Sequence, residues 1–320
     1  MQYLHLAIYW RDISRMTPSA KTSSTRSNYI RRAAYLLAIA AVTIFLWKMG
    51  GAPWLHAAQH WPIMIALAAL SAFGLAVQAM AFRLMAPPDD RPVFQITLAI
   101  WAISAALSVV APFMAGIAAR TTLLVRHGMS LKTCGLASLR QVWLGLEYAL
   151  LLSALSLPFA NWGIALNAGG GCALAWLVML ALRLKASSCR FDRLEKASGR
   201  FVRLIHAFSA PVPGQAHPWF ALQVLTMSAV YLVGFNGFGA EISVFQAIAL
   251  AGLTVVLSLI AFVPNGLGIT DAIWVIFAQH AGVELEEAVA IAITIRLSHL
   301  LAATILGALL NKRLHHHLNA

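Results

Sequence analysis

The sequence predicts an all-α polytopic membrane protein: about six full transmembrane helices plus two re-entrant broken-helix hairpins in an inverted repeat. Three observations carry that prediction. The 320 residues are 60% hydrophobic and 11% charged, whereas soluble domains carry about 25% charged residues. Apolar runs of spanning length recur, and the loops between them differ sharply in basic content. Two further apolar regions are interrupted by Pro and Gly, and they match each other in the order of their residues.

Residues 1–32 form a basic leader with Arg11, Arg15, Lys21, Arg26, Arg31 and Arg32. It does not read as a secretory signal, because "LHLAIYW" is cut short by Arg11 and Asp12 and no A-x-A site follows. A spanning helix needs roughly 20 mostly apolar residues. Six stretches meet that length: about 33–49, 61–85, 133–157, 162–184, 218–237 and 286–311. They form one transmembrane domain, 33–312, with repeat one at about 61–157 and repeat two at about 218–311. Between the repeats lies a basic loop, 185–217, and a short tail closes the chain at 313–320.

Charge placement gives the orientation. The leader, the 185–217 loop and the tail hold most of the Lys and Arg, whereas connections 50–60, 158–161 and 238–242 hold none. The connection 281–287 has only Glu284, Glu286 and Glu287 as charged residues. Under the positive-inside rule both termini face the cytoplasm. The two interrupted regions, about 93–120 and 243–280, then return to the side they leave. An odd number of crossings in each is the alternative, and it places Arg120, Arg126 and Lys132 outside.

The interruptions are "APFMAGIAAR", with Pro112 and Gly116, and "FVPNGLGITD", with Pro264, Asn265, Gly266 and Gly268. Pro removes an amide donor, and Gly adopts backbone angles closed to other residues. Unpaired backbone groups at membrane depth are tolerated only inside protein or beside a wet cavity. A plain proline kink remains the alternative, more so for Pro112. Each break leads to a polar turn ("GMSL" at Gly128, "GVEL" at Gly282) and then to an apolar helix with a lone Arg, Arg140 or Arg296. The flanking charge bias is reversed between the copies, as in transporters built from inverted repeats.

Arg140, Glu147, Asp271 and Arg296 fall inside predicted membrane segments. An Arg or Asp at a helix centre costs about 2.5–3.5 kcal/mol on insertion scales, so each needs a partner or water. One reading has Arg140 and Arg296 receive a phosphate while Glu147 and Asp271 balance them. The other is a structural salt-bridge network closing the bundle. Arg120 is a further candidate for the substrate site; it lies nearer a helix end, where its stem could instead snorkel. His299, one turn from Arg296, either lines the same cavity or is simply packed.

Several function classes fall away. The net charge of +12 is gathered in loops without any nucleic-acid-reading motif. Cys134, Cys172 and Cys189 have no metal or redox spacing, and no metal or cofactor is expected. "NAGGGCALAW" lacks the Lys-Ser/Thr of a phosphate loop and suits close helix packing better.

"FVPNGLGITDAIWVIFAQHAGVELEEAVAIAITIRL" resembles the C-terminal signature of the lysylphosphatidylglycerol synthase/flippase transmembrane family, P-G-G-L-G-x-x-E, then G-V, then a helical Arg. "APFMAGIAARTTLLVRHGMS" is similar to its N-terminal signature, P-x-x-x-G-E-x-x-R followed by G-x-S. The resemblance spans roughly residues 35–312. Asn265 replaces a Gly, Asp271 a Glu, Ile117 the acidic residue after Gly116, and Arg140–Gln141 a Glu-Arg pair. What the resemblance implies is lipid translocation between leaflets of a bacterial inner membrane, without the soluble synthase domain. The expected partner is a lipid with an anionic or phosphate-bearing headgroup; lipid-biosynthetic enzymes and a second copy of the chain are further candidate partners. An integral-membrane enzyme acting on a lipid headgroup and a non-transporting scaffold are the alternatives, the first weakened by the scatter of the acids.

Overall fold

The computed structural model describes residues 58–110, 115–160, 165–188, 212–260 and 269–316. The predicted 33–49 span, most of the basic loop, Pro112, and Pro264, Asn265, Gly266 and Gly268 lie outside the described residues. Those described fold into α-helices joined by short turns, with no strand among them. The helices are α1 Trp61–Met85, α2 Phe94–Val110, α3 Ala115–Arg126, α4 Leu131–Ser156, α5 Ala165–Ser188, α6 His217–Gly237, α7 Val244–Ile260, α8 Ile269–His280 and α9 Leu285–His316.

Among the described residues four segments are long and apolar enough to cross a bilayer: Trp61–Met85, Leu131–Phe159, Gly214–Gly237 and Leu285–Leu310. Each coincides with a predicted span to within a few residues. The predicted 162–184 span is helical as α5, with its apolar part at Gly170–Ala181. Helix starts follow local chemistry. Pro lies in the first turn of α1 and of α6, where its missing amide has no partner to lose. The Ser130 hydroxyl accepts the Thr133 amide at 3.1 Å to cap α4. Ser243 and Gln246 cap α7 reciprocally, at 3.2 and 2.8 Å.

Each interrupted region resolves into a pair of short helices. α2 and α3 have 17 and 12 residues, and α7 and α8 also have 17 and 12. α3 packs back along α2, and α8 packs on α7. The first crossing is close: a Cβ on Gly116 would overlap the Ser104 carbonyl oxygen and the Ser108 hydroxyl. α3 and α8 end alike, on Gly128 (φ 91°) and Gly282 (φ 87°). In each turn the following amide bonds back by one helical turn and a half, Met129 to Leu124 O and Val283 to Ala278 O, both at 3.1 Å.

The packing pattern maps onto itself when α1–α4 are exchanged with α6–α9. α1 packs on α6, α2 packs on α9, and α7 packs on α4. Two buried clusters result. One centres on Phe82, Ile100, Trp101 and Leu124, the other on Tyr231, Phe235, Leu250 and Ile291. The α1–α6 contact joins them.

Candidate functional site

Arg296 lies within the apolar body of α9, where an unpaired guanidinium would be costly. Its partners come from the first turn of α8. The Nε–H donates to Asp271 Oδ1 at 2.8 Å, and one terminal nitrogen donates to Asp271 Oδ2 at 3.1 Å and Thr270 Oγ1 at 2.7 Å. Two parallel bonds to one carboxylate form the strong fork geometry. Asp271 also stands at a helix N-terminus, where negative charge is favoured. The guanidinium carbon is 5.3 Å from the centre of the Trp274 ring. The two side chains are 18% and 27% exposed, and what Arg296 faces is a cavity.

That cavity has a volume of about 380 Å³ and lies between the two buried clusters. Its walls include Gly74 and Gln78 of α1, Gln223 and Tyr231 of α6, and Arg296 and His299 of α9. These positions are near the middle of three spanning segments, so the cavity is at mid-depth. A second guanidinium completes it. Arg120 of α3 stacks over Trp101 of α2, 4.4 Å from the ring centre, and both line the cavity with Ser104 and Ser108. Arg120 thus points into the protein instead of snorkelling to an interface.

The structure brings Arg120, Asp271 and Arg296 to this region and leaves Arg140 and Glu147 out of the lining. The expected convergence of Arg140 with Arg296 fails for a reason of register. Counting from Gly128 and Gly282, Arg296 falls opposite Val142, two residues beyond Arg140. Two residues turn a helix by roughly 200°, so the two arginines occupy different faces. Arg140 is half-buried and Glu147 buried on α4, each with contacts of its own. Gly116 is buried at the α2–α3 crossing and shapes the wall from behind.

Sequence reasoning did not single out Gln223, Tyr231 or Trp274. All three line the cavity; Gln223 Oε1 is buried without a hydrogen-bond partner, and the buried Tyr231 hydroxyl and Trp274 Nε1 have only each other and the Thr254 hydroxyl close by, outside full hydrogen-bond geometry. An unmet buried polar atom costs about 1–3 kcal/mol, so these atoms favour a polar occupant. Gln223 carried a signal, as an amide inside an apolar span. Trp274 carried another, one helical turn from Asp271.

The family model for the lysylphosphatidylglycerol synthase TM region matches residues 33–307. No curated protein and no solved structure matches significantly. The family match covers α1 to α8 and most of α9, including every residue of the cavity described above. With its multiple apolar helices, the chain is a multi-pass membrane protein that belongs to the lysylphosphatidylglycerol synthase TM region family.

Proposed function

We propose that the protein translocates a polar-headed lipid, with an anionic or phosphate-bearing headgroup, between leaflets of a bacterial inner membrane. It carries the lipid across without chemically transforming it. Both termini face the cytoplasm. The α2–α3 and α7–α8 pairs re-enter from opposite faces, in two oppositely oriented repeats of about 61–157 and 218–311 flanking a basic cytoplasmic loop at 185–217. With α5 and the 33–49 segment, the four long segments make six crossings.

One observation carries this reading: a mid-depth polar cavity receives one guanidinium from each set of helices, Arg120 and Arg296. A charged headgroup cannot cross hydrocarbon unaided, because the loss of its hydration is prohibitive. A cavity with fixed cations and unmet polar atoms replaces that hydration at the depth where it is most needed. The return of α3 along α2, with Gly116 against Ser104 and Ser108 and Arg120 over Trp101, supports the paired-hairpin topology. In this reading Pro112 and the Pro264, Asn265, Gly266 and Gly268 segment take part in binding the headgroup. Arg140 and Glu147 would serve the bundle outside the cavity, and lipid-biosynthetic enzymes or a second copy of the chain would be partners at its surface.

The test is leaflet exchange of a fluorescent phosphatidylglycerol probe in proteoliposomes. Arg120→Gln, and Arg296→Gln made together with Asp271→Asn so that no carboxylate is stranded, should each slow exchange by about tenfold or more, a loss of about 1.4 kcal/mol or more. Melting temperature in detergent should barely move for Arg120→Gln. Undiminished exchange in both variants would end the proposal.

A further inference from the structure

We infer that the cavity selects a phosphodiester-linked polyol headgroup and turns away headgroups bearing net positive charge, including the lysyl-modified form of the same lipid. This deepens the translocation reading and rests on it for the role of the bound lipid. Three independent features of the walls point the same way.

The first is charge. Among the described residues, the titratable side chains lining the cavity are Arg120, Tyr231, Arg296 and His299, with no carboxylate among them. The nearest acid described, Asp271, has both oxygens engaged by Arg296, at 2.8 and 3.1 Å. A lysyl ammonium entering this space would meet the Arg120 guanidinium and an Arg296–Asp271 pair that is neutral overall, with no carboxylate left to receive it. A phosphodiester would meet a net positive wall.

The second is the aromatic surface. Trp faces are the groups that otherwise hold organic cations. Trp101 already carries Arg120, at 4.4 Å, and Trp274 already carries Arg296, at 5.3 Å. Tyr231 packs against Trp274 with ring centres 5.5 Å apart, covering more of that ring. The aromatic residues therefore hold the protein's own cations in place to receive an anion.

The third is the set of unmet atoms. Trp274 Nε1–H donates only, Gln223 Oε1 accepts only, and the Tyr231 hydroxyl does either. Tyr231 is 1% exposed and Trp274 6% exposed, and their polar atoms have only each other and the Thr254 hydroxyl close by, none in full hydrogen-bond geometry. A phosphate oxygen satisfies the indole, and a headgroup hydroxyl satisfies the amide. A polyol phosphodiester supplies both on neighbouring atoms. The volume of about 380 Å³ lies toward the lower end of the roughly 300–1,000 Å³ of ligand sites, room for a headgroup while the acyl chains stay in the bilayer.

The experiment uses the full chain in two measurements. In phosphatidylcholine nanodiscs holding equal traces of phosphatidylglycerol and lysyl-phosphatidylglycerol, native mass spectrometry reads which lipid is retained. In proteoliposomes, short-chain fluorescent analogues of both report leaflet exchange. Phosphatidylglycerol should be retained and exchanged in preference by about tenfold, corresponding to about 1.4 kcal/mol. Gln223→Glu adds a carboxylate to the wall and should shrink or reverse that ratio. Tyr231→Phe removes one oxygen, conserves the ring and should weaken phosphatidylglycerol retention severalfold at an unchanged melting temperature. Equal or preferred retention of the lysyl lipid overturns the inference, as does a ratio that neither variant moves. Selective retention without exchange upholds the headgroup selection and removes the translocation reading. Equal exchange of both lipids does the reverse, and neither retention nor exchange removes both.

Discussion

In the first set of helices Arg120 reaches Trp101 from α3; in the second, Arg296 reaches Trp274 from α9 and is gripped by Asp271 and Thr270. The two sets share the left-handed turns at Gly128 and Gly282 and the pattern of helix contacts. The side chains differ. Counting from those glycines, Ile117 stands opposite Asp271, Gly116 opposite Thr270, and Arg120 itself opposite Trp274. Each set delivers one cation and one indole to the cavity, from different positions. Left-handed turns are dictated by packing, which both sets share. The charged groups answer to the cavity, where any position facing it will do. What persists between the two is therefore geometry, and chemistry is refitted on top of it.

The comparison breaks most completely if the two sets do not lie in opposite orientations. Arg126 and Glu284 are exposed residues beside the two equivalent turns. With Cys134, Cys172 and Cys189 replaced by Ser, the single variants Arg126→Cys and Glu284→Cys should respond oppositely to a membrane-impermeant maleimide on intact cells. Position 284 should label at once and position 126 only after permeabilisation. Labelling of both from one side removes the inverted arrangement.

Much of this frame was legible because it depends on length and composition. Apolar runs place α1, α4, α6 and the start of α9 to within a couple of residues. α9 continues to His316, past the apolar run. The Asp271–Arg296 pair was half legible: both residues were suspect as charges in apolar helices, but their direct contact depends on how α8 meets α9. Arg140 misled because a two-residue offset, small along the chain, reverses the face of a helix. Arg120 was a candidate for the substrate site, but nothing in the spacing reveals that Trp101 lies across the α2–α3 interface. Tyr231 gave no signal at all, because a tyrosine in an apolar helix looks like core until it is found on the cavity wall.

A sharper comparison concerns the two reciprocal interfaces, α7 on α4 and α9 on α2. A Cβ at Gly252 of α7 would lie 2.7 Å from the Ala149 carbonyl oxygen and would overlap the Ser153 hydroxyl. A Cβ at Gly307 of α9 would meet its nearest neighbour, Ile103 Cγ1, at 3.5 Å, an ordinary contact. Gly252→Ala should therefore destabilise the protein by about 2 kcal/mol through overpacking. Gly307→Ala should be neutral or stabilise by up to about 1 kcal/mol, because Ala loses less backbone entropy in a helix. Unfolding in mixed detergent micelles measures both, and equal costs would mean that the two interfaces are packed alike after all.

The smallest effect tests the closest likeness. Gly128 and Gly282 hold φ values of 91° and 87°, and a Cβ at either would meet nothing within 4 Å. Ala at these positions has no steric neighbour to displace, so its cost is that of forcing an L-residue into left-handed backbone, about 1 kcal/mol. Both turns also close with the same bonds, Gly128 N to Val125 O at 3.1 Å and Gly282 N to Gln279 O at 3.0 Å. Gly128→Ala and Gly282→Ala should thus cost the same to within a few tenths of a kcal/mol, and the double variant should cost their sum, because the two turns share no neighbours. A difference above about 1 kcal/mol between the single variants would mean that one turn carries a constraint the other lacks, and the two sets would then differ in frame as well as in side chains.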